Sequence, residues 1–294
     1  MQKNDGIIIM DKPQMRGMLG TRKVGHAGTL DPMATGVLPI FVGRATKCCD
    51  LLPDQDKNYT ATFELGYTTD TLDATGKLLS RQPVTVGEEQ VRTVLERFRG
   101  PISQLPPMYS AISIGGKRLY DLARQGIEVE RERRSVTIHS LELTAAQPQE
   151  NRYTIEVSCS KGTYIRTLCA DIGEALGCGA TMTALRRTCA AGFSLEDALT
   201  LEQAQQLAEQ GALRERMLPI ERVFSSLPRL HLGGKQEQMY RNGVRLDLAR
   251  LDGAQSFAGW KGDVAVFGEG GVFLGLSCPD WESQELRLHK LFAI

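Results

Sequence analysis

The sequence predicts an α+β protein: strands and helices in separate stretches, followed by a small C-terminal all-β domain. Three observations predict it. Runs rich in β-branched and aromatic residues recur at 58–66, 136–143 and 153–159, a composition suited to a pleated, half-buried surface. Helical spacing of apolar residues occurs in separate stretches, the longest at 88–99, 165–176 and 200–210. After Ser225-Ser-Leu-Pro228 the pattern changes to short β-like runs, 264–267 and 271–275, set off by glycines. A chain of 294 residues has room for two domains, and the change of pattern divides it into residues 1–225 and 226–294.

In chain order, residues 6–10 are an apolar run that reads as a buried strand, stopped by Asp11-Lys12-Pro13. Residues 37–42 are a second apolar run. Between them lies Gly25-His-Ala-Gly-Thr-Leu-Asp-Pro-Met-Ala-Thr-Gly36, which sets one carboxylate, Asp31, and one imidazole, His26, among glycines and a proline. Gly25, Gly28 and Gly36 permit backbone angles that other residues avoid, and Pro32 biases Asp31 toward an extended conformation. The acid is thus held on a shaped loop, a common way to carry a functional group. A tight turn whose Asp caps a backbone N–H uses the same residue types. Residues 58–66 read as a strand, 70–76 as a polar loop, and 88–99 as a helix through Val91, Val94, Leu95 and Phe98. Residues 109–114 read as a strand ending at Gly115-Gly116, followed by a short helix around Leu119 and Leu122. Residues 136–143 and 153–159 pair as a hairpin through a polar turn at 147–152. The next helix carries Ile165, Leu168, Cys169, Ile172 and Leu176 on one face and ends at Gly177. Residues 200–210 form a further amphipathic helix.

Bulk properties narrow the chemistry. Lys plus Arg equals Asp plus Glu at 35 each, so no global field advertises a nucleic-acid partner, although a local patch suffices for phosphate contact. Residues 1–50 carry seven basic against four acidic side chains, and 191–225 carry six acidic against three basic. The seven cysteines are an odd count without a CxxC pair, and the four histidines are far apart. That argues against a disulfide framework or a zinc site. There is no signal peptide and no apolar run long enough to span a bilayer, so a cytoplasmic protein without membrane association is expected. No P-loop, HExxH or GxSxG occurs, and Gly268-Glu-Gly-Gly271 lacks the strand–helix context of a dinucleotide loop. No cofactor and no metal are therefore expected.

What remains is a set of polar segments: Asp11-Lys12-Pro13, the loop of His26 and Asp31, Asp56-Lys-Asn-Tyr59, Ser160-Lys-Gly-Thr-Tyr-Ile-Arg166 and Leu185-Arg-Arg187. Singly, each has a plain structural explanation: Tyr59 at a strand edge, Tyr164 packing at a helix start, Arg166 in a surface salt bridge. Together, G-H-x-G-x-L-D-P-x-A-x-G, K-N-Y, Y-S-A-x-x-x-x-G-K-R-L-Y, R-x-G and C-S-K-G-T-Y-I-R-T-L closely resemble the TruB family of pseudouridine synthases. The resemblance is specific from Gly6 to about Phe193 and weaker beyond.

The resemblance implies the pseudouridine synthase fold, a mixed, mostly antiparallel sheet flanked by helices, with a C-terminal PUA-like RNA-binding domain, and isomerisation of uridine 55 to pseudouridine in the T-loop of tRNA. It implies a monomer acting on the tRNA T-stem-loop and not on DNA. Asp31 would be the catalytic carboxylate, as covalent nucleophile or as a base removing a sugar proton. Arg166 would pair with Asp31 and favour its ionised form. Tyr59 would stack on the target base; Tyr164 and the backbone near Leu185 would contact base or ribose. His26 would fill the space vacated when the nucleotide flips out, and Lys12 would support the loop. Lys23, Arg44, Lys47, Lys117, Arg118, Arg186 and Arg187 are candidates for phosphate contact, and Lys235, Arg241 and Arg245 for the acceptor stem. The chain departs from the family in one place: Lys12-Pro13-Gln14 runs directly into Met15, where the family carries a further stretch with a Gly-x-x-Ser segment and the start of a helix. Two other readings stand beside this one. One is a glycosidase-like hydrolase pairing Asp31 with Asp70 or Asp73; the other is a non-catalytic RNA-binding or RNA-folding module.

Overall fold

The computed structural model describes residues 6–11, 21 and 23–292. Lys12 and the junction at 14–15 lie outside the described residues. Strands β1 (Gly6–Asp11), β2 (Val24–His26), β3 (Thr35–Val42) and β4 (Lys57–Leu65) are followed by the small hairpin β5 (Tyr67–Thr69) and β6 (Leu78–Arg81). Next come α1 (Glu88–Leu95), β7 (Gly100–Gln104), the two-residue strands β8 (Ser113–Ile114) and β9 (Lys117–Arg118), and α2 (Leu119–Arg124). Then β10 (Arg134–Gln147), β11 (Arg152–Cys159), α3 (Ile165–Ala175), β12 (Ala180–Ala190), β13 (Phe193–Ser194) and α4 (Leu201–Glu209) complete the first part.

The main sheet runs β1-β3-β12-β4-β11-β10-β7, with β2 beside β3 and β13 beside β12. Its pairs are antiparallel except β3 with β12. The expected mixed, mostly antiparallel sheet is therefore found. Its central strand β12 was not legible as a strand. Register shifts at Met182/Ala184 and Arg187/Cys189 break the two-residue alternation on which such a reading depends. Residues 109–114 correct a second expectation. Only Ser113–Ile114 is strand, because the carbonyls of Tyr109, Ser110 and Ile112 turn instead to Arg166, Tyr120 and Leu119.

Helix α3 covers one face of the sheet. Leu168, Cys169 and Ile172 are fully buried and join Phe63, Tyr153, Ile155 and Met182 in one core. The helix stops at Gly177 (φ 77°), whose N–H donates to the Glu174 carbonyl in the left-handed cap that glycine favours.

The C-terminal part forms its own sheet, β14-β16-β17-β18-β15, from β14 (Arg229–His231), β15 (Leu246–Asp247), β16 (Val264–Phe267), β17 (Phe273–Asp280) and β18 (Glu285–Leu291). It also carries a helix, α5 (Gly234–Arg241), which the glycine-punctuated pattern did not reveal. The rings of Phe224, Phe273 and Phe292 pack with centroids 5.5–5.9 Å apart and join Ile7, Val37 and Phe41 in a shared core. Arg44 and Lys47, expected at phosphates, donate to the carbonyls of Phe292 and Leu291. They fasten the last strand to the turn after β3. Among the described residues, no helix is long and apolar enough to cross a membrane.

Two outcomes follow from α3. A Cβ at Gly173 would collide with the backbone and side chain of Ala180, while alanine gains only about 1 kcal/mol of helix propensity. Overpacking therefore wins, and Gly173→Ala is expected to lower stability by about 1–3 kcal/mol in urea denaturation. Burial raises the Asp171 carboxyl to about 6, with Arg133 opposing and Glu174 adding to the rise. A carboxyl raised on folding binds protons more tightly in the native state, so its ionisation weakens the fold as pH climbs from about 4 to 6. Asp171→Asn is expected to raise Tm at pH 7, with the gain vanishing near pH 4.

Candidate active site

The loop between β2 and β3 carries Asp31, and α3 delivers Arg166 to it. Gly28 (φ 75°) and Gly36 (φ 96°) take left-handed angles, whereas Gly25 lies in β2 and instead lets the chain pass close to Cys49 Sγ. The Ala34 N–H donates to the Asp31 carbonyl, closing a turn around Pro32. On the other side, Gly162 (φ 82°) turns the chain into α3. Tyr164, just before the helix, is fixed by Gln104, whose side chain accepts from its N–H at 2.9 Å and donates to its carbonyl at 3.2 Å.

Arg166 is 4% exposed. Its Nε donates to Asp31 Oδ2 at 2.9 Å and its Nη2 to Oδ1 at 2.7 Å, a bidentate pair that holds the carboxylate plane. The remaining donors reach the Tyr109 carbonyl at 2.9 Å and the Thr71 carbonyl at 3.1 Å. Asp31, with 29% of its side chain exposed, faces solvent from this mount.

A second carboxylate backs the arginine. Asp73 Oδ2 lies 3.7 Å from Arg166 Nη1, and its Oδ1 accepts from Thr71 Oγ1, Thr75 N and Thr75 Oγ1 at 2.6–3.0 Å. Asp73 is 4% exposed, so it holds the guanidinium from behind. Asp70 accepts from the Lys77 N–H and belongs to the same turn. Neither offers the open second carboxylate that glycoside hydrolysis needs. The role of Asp73 was not read from the sequence; the threonines two residues to either side of it were the available signal.

The floor is apolar. Tyr59, Ala34, Leu185 and Ile165 are buried in one cluster, with Leu30 and Met33 packed against it. Burial raises the Tyr59 phenol to about 12, and the adjacent Arg187 guanidinium opposes the rise. The Tyr164 phenol is also raised by burial, opposed by the Ser110 hydroxyl and by Arg134 and Arg166. The Asp31 charge acts on both phenols, so the two tyrosines share its surroundings. His26 is exposed at the end of β2, paired with Ile40 across the strands.

The basic candidates divide. Lys23, Lys117, Arg118 and Arg186 are exposed on the first part, and Lys235 and Arg245 on the second, Arg245 pairing with Glu285. Arg241 is half-buried against Glu237. Arg187 corrects an expectation: it is fully buried and cannot meet a phosphate, because its donors are turned inward to the carbonyls of Val37 and Gly28. Among the described residues, no group of His, Cys, Asp and Glu side chains is arranged to hold a metal.

Comparison with known proteins gives the family. The family model for the TruB family pseudouridylate synthase N-terminal domain matches residues 16–165, and that for the tRNA pseudouridylate synthase B C-terminal domain matches 166–225. The chain is 45% identical over 300 residues to tRNA pseudouridine synthase B of Azoarcus sp. (strain BH72), covering 98% of this chain and 95% of that one. It is 48% identical over 240 residues to the synthase of the same name from Pseudomonas putida, covering 77% and 78%. Among solved structures, a Cbf5-Nop10-Gar1 complex aligns with a TM-score of 0.73 at 24% identity, over 98% of this chain and 85% of that one. An H/ACA RNP bound to a substrate RNA containing 2'-deoxyuridine aligns at 0.72 and 22%, over 98% and 85%. The fold is thus that of these solved structures, and by sequence the chain belongs to the TruB family of pseudouridylate synthases.

Proposed function

We propose that this protein isomerises uridine to pseudouridine in tRNA, at position 55 of the T-loop, with Asp31 as the reacting carboxylate. The observation that carries the reading is the bidentate Arg166–Asp31 pair: an acid held in a fixed orientation, partly open to solvent, beside a buried apolar cluster. The C1′–N1 bond of uridine breaks, the uracil turns, C5 bonds to C1′, and the C5 proton leaves as N1 regains one. The reaction exchanges one bond for another and needs no redox or phosphoryl chemistry. A fixed carboxylate serves it as a nucleophile at the sugar or as a base. The Tyr59–Leu185 floor receives the extruded uracil, and exposed His26 stacks in the place it leaves. Residues 1–225 form the catalytic domain, with exposed Lys23, Lys117, Arg118 and Arg186 meeting RNA phosphates. Residues 226–294 form a PUA-like RNA-binding domain offering Lys235 and Arg245 to the acceptor stem. The working protein is a cytoplasmic monomer.

Tritium release from C5-labelled uridine in a T-stem-loop RNA reads the reaction directly. Asp31→Asn is expected to lose at least about a thousandfold in rate while still binding the RNA; unchanged turnover would remove Asp31 from the chemistry. His26→Ala is expected to lose only about ten- to a hundredfold, the size of one stacking contact. Arg166→Lys keeps the charge but loses the planar fork. Its kcat is expected to fall by about ten- to a hundredfold, one charge-assisted hydrogen bond, with the RNA Kd unchanged.

A further inference from the structure

Resting on that functional reading, we infer that Arg187 is a positioning residue: from beneath, its buried guanidinium clamps both ends of the catalytic loop and keeps Asp31 at a fixed distance from Tyr59. Arg187 Nε donates to the Val37 carbonyl at 2.8 Å and Nη2 to the Gly28 carbonyl at 2.9 Å. These carbonyls flank the segment that carries Asp31. In the sheet, Arg187 is the register partner of Tyr59 on β4 and of Gly36 on β3. One residue therefore joins the strand of the acid to the strand of the base-stacking tyrosine.

The glycines of the loop fit the same clamp. A Cβ at Gly36 would collide with the Arg187 backbone, and a Cβ at Gly28 would stand 3.1 Å from Arg187 Nη1. Both glycines are needed where the loop comes down onto this arginine.

Stability alone does not account for the residue. Arg187 is fully buried, forms no ion pair among the described residues, and leaves Nη1 without a hydrogen-bond partner. The half-buried Lys57 passes beside the same loop, its ammonium held below the usual lysine range by burial and by Arg187. Burying a cation under these terms is costly. Two carbonyls held in the plane of one rigid fork give geometric precision in return. Displacing a reacting group by about 1 Å costs on the order of a hundredfold in rate.

The test uses Arg187→Lys in the full chain, with Tm to verify folding, anisotropy of a T-stem-loop RNA for affinity, and single-turnover pseudouridine formation for rate. The expected result is a rate lower by on the order of a hundredfold with RNA affinity held within about twofold. Gly28→Ala, at an exposed position, presses on the clamp from the loop side. It is expected to give the same rate-only loss, and it carries the test if Arg187→Lys does not fold. A wild-type rate in the folded variant, or loss of rate and affinity together, overturns the assignment. Absence of pseudouridine with the unsubstituted protein overturns the functional reading instead.

Discussion

The site depends on one ion pair between two distant parts of the chain, Arg166 of α3 and Asp31 of the β2–β3 loop. Three charges are involved. Arg166 lies between Asp31, which faces solvent, and Asp73, which does not. Burying a guanidinium is expensive, and a single exposed partner repays little of that cost. Asp73 supplies the rest. Its Oδ1 accepts three hydrogen bonds, and the side chain is buried, so it backs the arginine without presenting a second carboxylate to solvent. The balance is one net negative charge, carried by the carboxylate that faces solvent. A polyanionic substrate would be repelled by that charge alone, and the exposed basic residues on the surrounding surface offset it.

The sheet holds this pair in place. β3, β12 and β4 lie side by side, bringing the end of the Asp31 loop, Leu185, Arg187 and Tyr59 onto three neighbouring strands. α3 lies across the sheet with its apolar side fully buried, which fixes where Arg166 emerges. The site is therefore built on regular elements even though its acid sits on a loop, and the loop is held at both ends and at the carboxylate.

Much of this was legible in the sequence, unevenly. Strands β1, β3, β4 and β11 and helices α1, α3 and α4 follow from apolar periodicity, which survives wherever one face of an element is buried. β12 does not, because its two register shifts move the buried positions out of phase. Asp31 stood out through its glycines and proline, but its partner Arg166 was reached only through the company of spaced motifs; pairing across 135 residues leaves no local trace. Asp73 looked like turn chemistry because it is turn chemistry, with the arginine added by the fold. Arg187 was misread for a general reason. Arginine is rarely fully buried, so a basic pair at 186–187 suggests two exposed contacts, whereas successive strand residues point to opposite faces and only one is exposed. Helix α5 was hidden among glycines that suggest strands and turns.

The parallel pairing of β3 with β12 has a further consequence, in the order of folding. Thr35 and Gly36 pair with Arg186 and Arg187, and the Arg187–Val37 bond spans 150 residues. Such contacts close long loops, so they form late and slowly. On the ribosome, the Asp31 loop is made early and waits for its partners until residues 166–187 have emerged. The nascent chain therefore carries Asp31 without the arginines that orient its loop. Competence would arrive abruptly, when the middle strand slots between two strands already made.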